Sequence, residues 1–330
     1  MTRVLITGGA GFIGLHLAKL FVSRNWQVDL LDNFSRGVWD PELTSFETNI
    51  KVRVLNLDLL NPDTYFQLTE DYEYIFHFAA IIGVQNVLAQ PFNVLKDNNT
   101  MLIYMLEFAK KCPVLKRFIF SSTSEVYAGT LQNFELTLPT PENSPLALTA
   151  IDHPRTSYML SKLYGEALCH ASNVPFTIIR PHNFYGPRMG LSHVIPELLK
   201  KSHESKNGKI EVFSLEHKRT FCFIEDAIQM ILLATESEKC RHQTLNIGTQ
   251  SPEVSIRELA KKVLGIVGKD LKVIPKHVTI GSPQRRCPDM TLTKQLTGYE
   301  SQISLEEGIS RTYLWYKENI FTAGRSISAK

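Results

Sequence analysis

The feature that most constrains the fold is a regular alternation of short apolar runs with segments of helical pattern. The apolar runs lie at residues 4–7, 27–32, 52–58, 74–80, 117–122 and 176–181, and helix-like segments follow most of them. Continuous apolar strands are typical of parallel sheets that helices cover on both faces, because such strands are buried from both sides. The sequence therefore predicts an α/β fold with a Rossmann-type, doubly wound parallel sheet.

The alternation loosens from about Gly186, and this change predicts a smaller C-terminal substrate-binding lobe. A polar stretch follows, KKSHESKNGK, and residues 251–318 offer an amphipathic helix, a short strand and a last helix. We expect a nucleotide-binding main domain of residues 1–180, to which 221–248 are added, and a lobe of residues 181–220 and 249–318. Residues 319–330 are predicted to be a tail whose small, polar end frays.

A glycine motif stands directly between the first apolar run and a predicted helix. The sequence ITGGAGFIG places Gly9, Gly11 and Gly14 in the spacing G-x-G-x-x-G. Small residues there allow a tight turn and a close backbone approach, so that a pyrophosphate can bind where the free N–H groups of a helix N-terminus point. Because strand and helix flank it, the motif predicts a dinucleotide site rather than a purely structural glycine turn.

The acidic residue expected of such a site is Asp32, at the end of the second apolar run. A carboxylate there accepts hydrogen bonds from the adenosine ribose and repels a 2′-phosphate, which favours NAD over NADP. Arg36 is the opposing observation, because an arginine can bind that phosphate; alternatively it covers the adenine or faces solvent. Asp58, after the third run, is either an adenine contact or a solvated turn residue.

Tyr158 and Lys162 are the candidate catalytic pair. They lie four residues apart at a predicted helix start, so both side chains project from one face. An ammonium group beside a phenol stabilises the phenolate, and a nicotinium charge adds to this effect, so the pair predicts a tyrosine with a lowered pKa that acts as a base. The stretch SSTSEVYAG, residues 121–129, supports this interpretation with its hydroxyls, although such residues are also common in strand-to-loop turns.

Charge and cysteine content exclude other classes of protein. Lysine and arginine number 36 against 33 aspartates and glutamates, and a net charge of +3 gives no argument for nucleic acid binding. The five cysteines are widely spaced and lack a C-x-x-C, which argues against a disulfide framework and a metal site. The apolar runs are too short for a membrane span, and the first residues leave no room for a signal peptide. We expect a soluble, cytoplasmic protein.

Together these motifs make the chain resemble the extended short-chain dehydrogenase/reductase family, specifically its nucleotide-sugar epimerases, dehydratases and decarboxylases. The resemblance covers nearly everything from Arg3 to about residue 318. It is carried by TGGAGFIG, DNFSRG, HFAA, SSTSEVY, YMLSK, RPHNFYGPR, KRTFCFIEDA, LNIG and RRCPD. The chain departs from the family pattern in the helix after Pro91, because DNNTML lacks the Gly-Thr that often follows the asparagine, Asn98.

The resemblance implies a tightly held, recycled NAD that accepts the C4 hydride of a nucleotide-diphosphate sugar. It implies that Thr123 hydrogen-bonds the sugar O4, that Tyr158 takes its proton and that Lys162 supports Tyr158. The cofactor contacts that it implies are Gly8, Gly9, Gly11, Phe12, Ile13, Gly14, Asp32, Asn33, Asp58, Leu59, Ala79, Ala80, Asn98, Tyr158 and Lys162. The implied substrate contacts are Asn183, Arg219 and Arg286, with a surface ion pair as the alternative for each arginine.

Three reactions are open to a sugar oxidised at C4, and the residues Thr123, Ser124 and Glu125 bear on the choice. A C4 epimerase needs only the hydroxyl and the phenol. In a 4,6-dehydratase Glu125 would remove the C5 proton, although Ser124 is a poor acid. In a UDP-glucuronate decarboxylase Ser124 and Glu125 would orient the uronate and assist protonation at C5. The structural alternative is that the Glu125 carboxylate caps a backbone turn.

The segments TSE, YGPRM and RRCPD are together most similar to those of the decarboxylases. The loop AAIIGVQNVLAQP, in contrast, does not resemble the decarboxylase loop at the same place. Decarboxylation is therefore favoured narrowly, followed by 4,6-dehydration and then by C4 epimerisation. A catalytically silent NAD-sensing protein is the alternative outside enzymology, since the fold also hosts binding modules, but Thr123, Tyr158 and Lys162 are all present. The long helices near 101–111 and 158–172 pair into a four-helix bundle in related proteins, which predicts a homodimer.

Overall fold

The computed structural model describes residues 1–46, 48–278 and 282–322. Its strands are β1 Arg3–Thr7, β2 Gln27–Asp32, β3 Val52–Asn56, β4 Tyr74–His77, β5 Arg117–Ser121, β6 Phe176–Pro181, β7 Phe184–Tyr185, β8 Lys209–Val212, β9 Lys218–Arg219, β10 Cys222–Phe223, β11 Thr244–Ile247, β12 Val254–Ser255, β13 Lys272–Pro275 and β14 Arg285–Arg286. Seven of them form one parallel sheet in the order β3, β2, β1, β4, β5, β6, β11.

The helices of the described residues alternate with these strands. They are α1 Phe12–Ser23, α2 Pro41–Thr44, α3 Val84–Ala89, α4 Pro91–Ala109, α5 Ala128–Asn133, α6 Thr156–Ala171, α7 Val194–Glu204, α8 Ile224–Glu236, α9 Ile256–Val267, α10 Thr291–Thr297 and α11 Leu305–Tyr316. Short 3₁₀ turns occupy Pro62–Gln67, Ser124–Tyr127 and Glu238–Cys240, and a π-helical turn, Lys317–Phe321, extends α11.

Side chains that alternate along the strands pack into two separate cores, one on each face of the sheet. On one face Leu5 and Phe118 lie in a cluster with Met105 of α4 and Cys169 of α6. On the other face Val4 and Ile6 of β1 pack with residues of α1 and α8. Helices thus cover both faces, and the predicted doubly wound Rossmann-type fold is confirmed.

Parallel pairing brings the carboxyl ends of the central strands to one edge of the sheet. Thr7 of β1 is paired with His77 of β4, and His77 is paired with Phe120 of β5. The residues that follow these strands therefore meet at the same edge, which is where open α/β sheets bind their ligands.

The later part of the chain forms smaller sheets beside this edge. β9 pairs with β12 and β14, β8 pairs with β13, and β7 pairs with β10. α8 packs on the seven-stranded sheet. β11 is the edge strand of that sheet and pairs with β6. The division into domains remains a prediction, and residues 323–330 of the predicted tail lie outside the described residues.

Two structural findings bear on the expectations from composition. All five cysteines are buried and free of disulfide bonds. Among the helices of the described ranges, none is both long and apolar enough to cross a membrane.

Candidate active site

The glycine turn between β1 and α1 leaves no room for side chains. The N–H of Gly11 donates to the Gly8 carbonyl oxygen over 3.0 Å, and Gly8 has a positive φ of 69°. A Cβ added at Gly14 would lie 2.5 Å from the Gly8 oxygen, and one added at Gly9 would lie 2.8 Å from the Cβ of Leu30. The turn is therefore a bare backbone cradle that leads into the N-terminus of α1, where Phe12 and Ile13 begin the helix. Such a cradle suits the pyrophosphate of a dinucleotide.

Asp32 fastens this turn to the loop after β2. Its carboxylate accepts hydrogen bonds from the N–H of Ala10 at 3.0 Å and from the N–H of Phe34 at 2.9 Å. Burial raises the pKa of Asp32, while these two bonds and the positive charges of Arg188 and Arg36 oppose the rise. Each carboxylate oxygen retains further acceptor capacity, which a ribose hydroxyl can use.

The charge of Arg36 acts on two residues of the predicted cofactor site. The positive charge of its guanidinium lowers the pKa of Asp32 and also that of Tyr158, so Arg36 acts on groups at both ends of the predicted cofactor site. The Arg36 side chain is exposed, so its contact with a phosphate or with adenine stays a prediction.

The loop after β3 brings Asp58 towards the residues that follow β2. One oxygen of Asp58 accepts from the N–H of Leu60 at 2.9 Å, and the other lies 3.4 Å from the Asn33 side-chain nitrogen. Leu59 is buried between them and the sheet. Asp58 thus stabilises its own turn, and its contact with adenine stays a prediction.

Asn98 has a positioning role in this structure rather than a free amide directed at the cofactor. Its side-chain oxygen accepts from the N–H of Ile81 at 2.7 Å, and its nitrogen donates to the Ile81 carbonyl at 3.2 Å and to Ser161 Oγ at 3.3 Å. The buried amide therefore ties the loop after β4, which includes Ala79 and Ala80, to α6. The backbone of Ala79 in turn lies against the glycine turn, 2.9 Å from a Cβ placed on Gly8.

Thr123, Tyr158 and Lys162 come together at the end of β5. Thr123 caps the turn Ser124–Tyr127, because its side-chain oxygen accepts from the N–H of Glu125 at 3.2 Å. The Thr123 side chain acts on the Tyr158 hydroxyl, because it opposes the rise in the pKa of Tyr158. One turn further along α6, Lys162 Nζ donates to the carbonyl of Ser121 at 2.8 Å and lies 5.9 Å from the centre of the Tyr158 ring.

The protonation states of this pair differ from the sequence-based prediction. Burial raises the pKa of Tyr158, and the negative charge of Glu125 raises it further. Burial lowers the pKa of Lys162 to about 8. Lys162 alone therefore does not lower the pKa of the buried tyrosine, because burial penalises the phenolate and the ammonium alike, and the predicted lowering also rests on the charge of the nicotinium ring.

Arg286 is the cation that reaches the catalytic turn. One of its nitrogens donates to Ser124 Oγ at 3.3 Å, and another lies 3.4 Å from Glu125 Oε1. The alternative of a capping carboxylate does not hold for Glu125, since Thr123 caps the turn and Glu125 pairs with Arg286. Arg286 is about one-fifth exposed and Glu125 about one-third, so the pair is partly buried.

Arg219 and Asn183 are less available than predicted. The guanidinium of Arg219 is buried and donates to Ser282 Oγ at 3.1 Å and to the carbonyl of Gln284 at 3.3 Å. Burial lowers the pKa of Arg219 to about 10, and the charge of Arg286 lowers it further. Asn183 donates to the Thr220 carbonyl at 2.9 Å. Donors of both side chains are therefore engaged with residues 218–220 and 282–284, and their contact with a nucleotide sugar stays a prediction.

A buried network beneath the catalytic turn was not predicted. Arg180 donates to both oxygens of Glu166, at 2.9 and 2.7 Å, and to the Tyr127 hydroxyl at 2.7 Å. Tyr127 donates to Asn246 at 3.0 Å, and Glu166 accepts from Ser122 at 2.5 Å. The motifs SSTSEVY, RPHNFYGPR and LNIG contain most of these residues, but their spacing gives no sign that they meet.

Comparison with known proteins agrees with this geometry. Residues 4–248 match the model of the NAD dependent epimerase/dehydratase family. The UDP-N-acetyl-alpha-D-glucosaminuronate decarboxylase of Bacillus cytotoxicus is 30% identical over 335 residues, 96% of this chain and 98% of that protein. UDP-glucuronic acid decarboxylase 1 of Xenopus tropicalis is 28% identical over 96% of this chain and 73% of its own length. The crystal structure of UDP-glucuronic acid 4-epimerase from Bacillus cereus, in complex with UDP-glucuronic acid and NAD, superposes with a TM-score of 0.79 at 26% identity and covers 96% of this chain and 99% of that one.

Proposed function

Because the chain belongs to the NAD-dependent epimerase/dehydratase family, we propose that its substrate is a nucleotide-diphosphate uronate that loses its carboxylate after oxidation at C4. The chain is an enzyme, and its cofactor is NAD. The residues present suit that cofactor, since the turn at Gly8, Gly9 and Gly14 excludes side chains and Asp32 offers acceptors for ribose hydroxyls.

The observation that carries the proposal is the position of Arg286 beside Ser124 and Glu125. Arginine binds carboxylates through paired, charge-assisted hydrogen bonds. The carboxylate partner of Arg286 in the structure is Glu125, and a uronate would offer a second carboxylate at the same place. The two decarboxylases described above act on UDP-linked uronates, as their names state, which supports the same substrate class.

The side chains have consistent roles in this reaction. NAD, when bound, would accept the hydride from C4 and return it to the C4 ketone after carbon dioxide has left. Thr123 holds the C4 hydroxyl, and Lys162 keeps Tyr158 in place from the same face of α6. Tyr158 would receive the C4 proton as a phenolate, which the positive charge of bound NAD would have to stabilise against the effect of burial. With C4 a ketone, the C5–C6 bond breaks, carbon dioxide leaves, and the electron pair is delocalised onto the C4 oxygen. Ser124 and Glu125 then assist the return of a proton to C5.

C4 epimerisation of a uronate is the second candidate. The Bacillus cereus structure is described as an epimerase with UDP-glucuronic acid, so a cation beside the uronate is compatible with either outcome. In that reaction the carboxylate is retained, and Glu125 has no proton to deliver. 4,6-Dehydration, in which Glu125 would remove the C5 proton, has less support because Arg286 has no carboxylate to bind in a neutral hexose.

A mass-spectrometric assay of the purified enzyme with NAD tests the proposal. The substrates are UDP-glucuronate, UDP-N-acetylglucosaminuronate, dTDP-glucose, GDP-mannose and UDP-N-acetylglucosamine. Loss of carbon dioxide from a uronate is the expected result. Loss of water from a neutral hexose would replace decarboxylation by dehydration, and an unchanged mass with altered chromatographic mobility would indicate epimerisation. If no sugar reacts or reduces bound NAD, the protein is a cofactor-binding protein without this chemistry.

A further inference from the structure

Arg188 joins the segment after β7 to the glycine turn. Its buried guanidinium donates from Nη1 to the carbonyl oxygens of Ala10 at 2.7 Å and Gly11 at 3.3 Å. Nη2 donates to the Val38 carbonyl at 2.9 Å, and Nε donates to Asp40 at 2.5 Å. One side chain thus holds the glycine turn and the loop after β2 together.

The backbone around Arg188 is arranged for these bonds. Arg188 has a φ of 69°, in the left-handed region that residues other than glycine rarely adopt. The preceding carbonyl, that of Pro187, is hydrogen-bonded to His16 of α1 at 3.0 Å. The segment that follows β7 is therefore fastened to α1 at two successive residues.

Arg188 adds to the bonds that fix where the first N–H groups of α1 point, because the Gly11 carbonyl accepts both from the N–H of Leu15 at 3.1 Å and from Arg188 at 3.3 Å. A peptide unit is planar and trans, so its N–H points away from its own carbonyl oxygen. When Arg188 holds the Gly11 carbonyl, the N–H of Phe12 is directed to the opposite side. Phe12 is the first residue of α1, and the first N–H groups of a helix have no partner within it. These donors are the ones available to a bound phosphate.

We propose that Arg188 is a positioning residue for NAD, which sets the orientation of the glycine turn without touching the cofactor. The bonds to Val38 and Asp40 hold the loop after Asp32 in a fixed position relative to that turn. Retention of NAD therefore depends on a residue of the predicted substrate-binding lobe, 178 positions along the chain from Ala10. The proposal does not depend on which sugar reaction the enzyme performs.

Purified holoenzymes carrying Arg188→Gln and Arg188→Lys test this role. The matched control is Arg117→Gln, because Arg117 is equally buried and bonds to Thr177 at 2.9 Å and to Glu238 at 3.1 Å, at the opposite end of the sheet. The measurements are the NAD retained per chain after gel filtration, the rate of NAD release into excess unlabelled cofactor, and the unfolding temperature without cofactor.

We expect Arg188→Gln to release NAD about tenfold faster or more, the size of one lost charge-assisted hydrogen bond, with Arg188→Lys in between. Arg117→Gln should lower the unfolding temperature and leave NAD release unchanged. The proposal is overturned if Arg188→Gln releases NAD at the wild-type rate, or if both glutamine variants change it equally. If Arg188→Gln does not fold, Arg188→Lys decides on the same criteria.

Discussion

Arg286 and Glu125 lie side by side, but their nearest charged atoms are 3.4 Å apart. Charge-assisted hydrogen bonds between such groups typically close to about 2.8 Å, so this pair is held short of its best geometry. Arg286 divides its donors between Glu125 and Ser124. A substrate carboxylate can therefore recruit Arg286 without breaking an optimal ion pair.

The first prediction concerns Arg286 as the uronate contact. Arg286→Gln should lower kcat/KM for the reactive uronate by about a hundredfold, because a lost charged hydrogen bond to a carboxylate costs about 2–3 kcal/mol. Arg285→Gln is the control, because Arg285 adjoins it in β14 but is about half exposed and pairs with Glu253. Steady-state kinetics of both variants should show a change of less than about twofold for Arg285→Gln. Equal losses in the two variants would remove Arg286 from the site.

The second prediction concerns the buried charge of Lys162, whose pKa is lowered from 10.5 to about 8. Below pH 8 the folded protein bears the full cost of the buried ammonium, and between pH 8 and 10.5 its stability rises with pH because the unfolded chain binds the additional proton. Lys162→Met should abolish activity. In cofactor-free protein at pH 7 the Lys162→Met substitution should raise the free energy of unfolding by about 2 kcal/mol. Removing the buried ammonium gains about 3 kcal/mol, and the lost hydrogen bond to Ser121 offsets part of this gain.

Urea unfolding between pH 7 and 10 measures this difference for Lys162→Met. The gain should shrink above pH 8, whereas the exposed control Lys111→Met should show no such trend. A Lys162→Met variant less stable than the wild type at pH 7 would mean that the lysine stabilises the fold.

Local patterns in the sequence predicted the residues whose roles depend on near neighbours. The glycine spacing determines the turn before α1, and the spacing of Tyr158 and Lys162 on a helix determines that they share a face. Residues whose roles depend on partners distant in the chain were not predictable in this way. Arg188 meets Ala10 only in the folded chain, across a separation of 178 residues.

The pKa values of the site residues also could not be predicted from the sequence pattern. The pKa of Tyr158 depends on how deeply α6 and the turn at 124–127 bury its hydroxyl, and on the charge of Glu125. Neither quantity follows from a four-residue spacing. The same holds for Asn98, whose amide is committed to Ile81 by a loop conformation that no local motif specifies.

The third prediction concerns cofactor choice. Asp32→Asn removes the charge that disfavours a 2′-phosphate but retains one acceptor, so NAD affinity should fall about tenfold while the ratio of NADP to NAD affinity rises. In that background Arg36→Ala should weaken NADP binding and leave NAD binding nearly unchanged, because Arg36 acts on the same cleft as Asp32. Calorimetric titrations of both cofactors measure the ratio. Wild-type protein that binds NADP as tightly as NAD would contradict the role of Asp32.

The fourth prediction is the homodimer. α4 and α6 pack against one another, yet Phe92, Ile103 and Tyr164 on these helices remain exposed by 73, 38 and 49%. Exposed apolar side chains on a pair of packed helices can be covered by a second copy of the chain. Sedimentation at micromolar concentration should give a dimer for the wild type and a monomer for Ile103→Glu with Tyr164→Glu. Phe66→Glu, at an exposed residue on the 3₁₀ turn Pro62–Gln67, should remain dimeric. A monomeric wild type would contradict the expectation.

The last prediction concerns acid stability and His182. Its Nε2 lies 3.0 Å from Asn246 Oδ1, whereas its buried Nδ1 has no partner among the described residues. Burial, with a smaller effect of the charges of Arg286 and Arg180, lowers the pKa of His182 to about 3. The unfolded chain therefore binds a proton at this histidine below pH 6.5 that the folded chain does not bind until about pH 3, so stability falls as the pH falls through that window.

Between pH 7.5 and pH 5, His182→Phe should lose about 2 kcal/mol less unfolding free energy than the wild type. Urea unfolding at both pH values measures this, with His170→Gln as an exposed control that should follow the wild type; parallel losses in His182→Phe and the wild type would show that His182 is protonated in the folded protein.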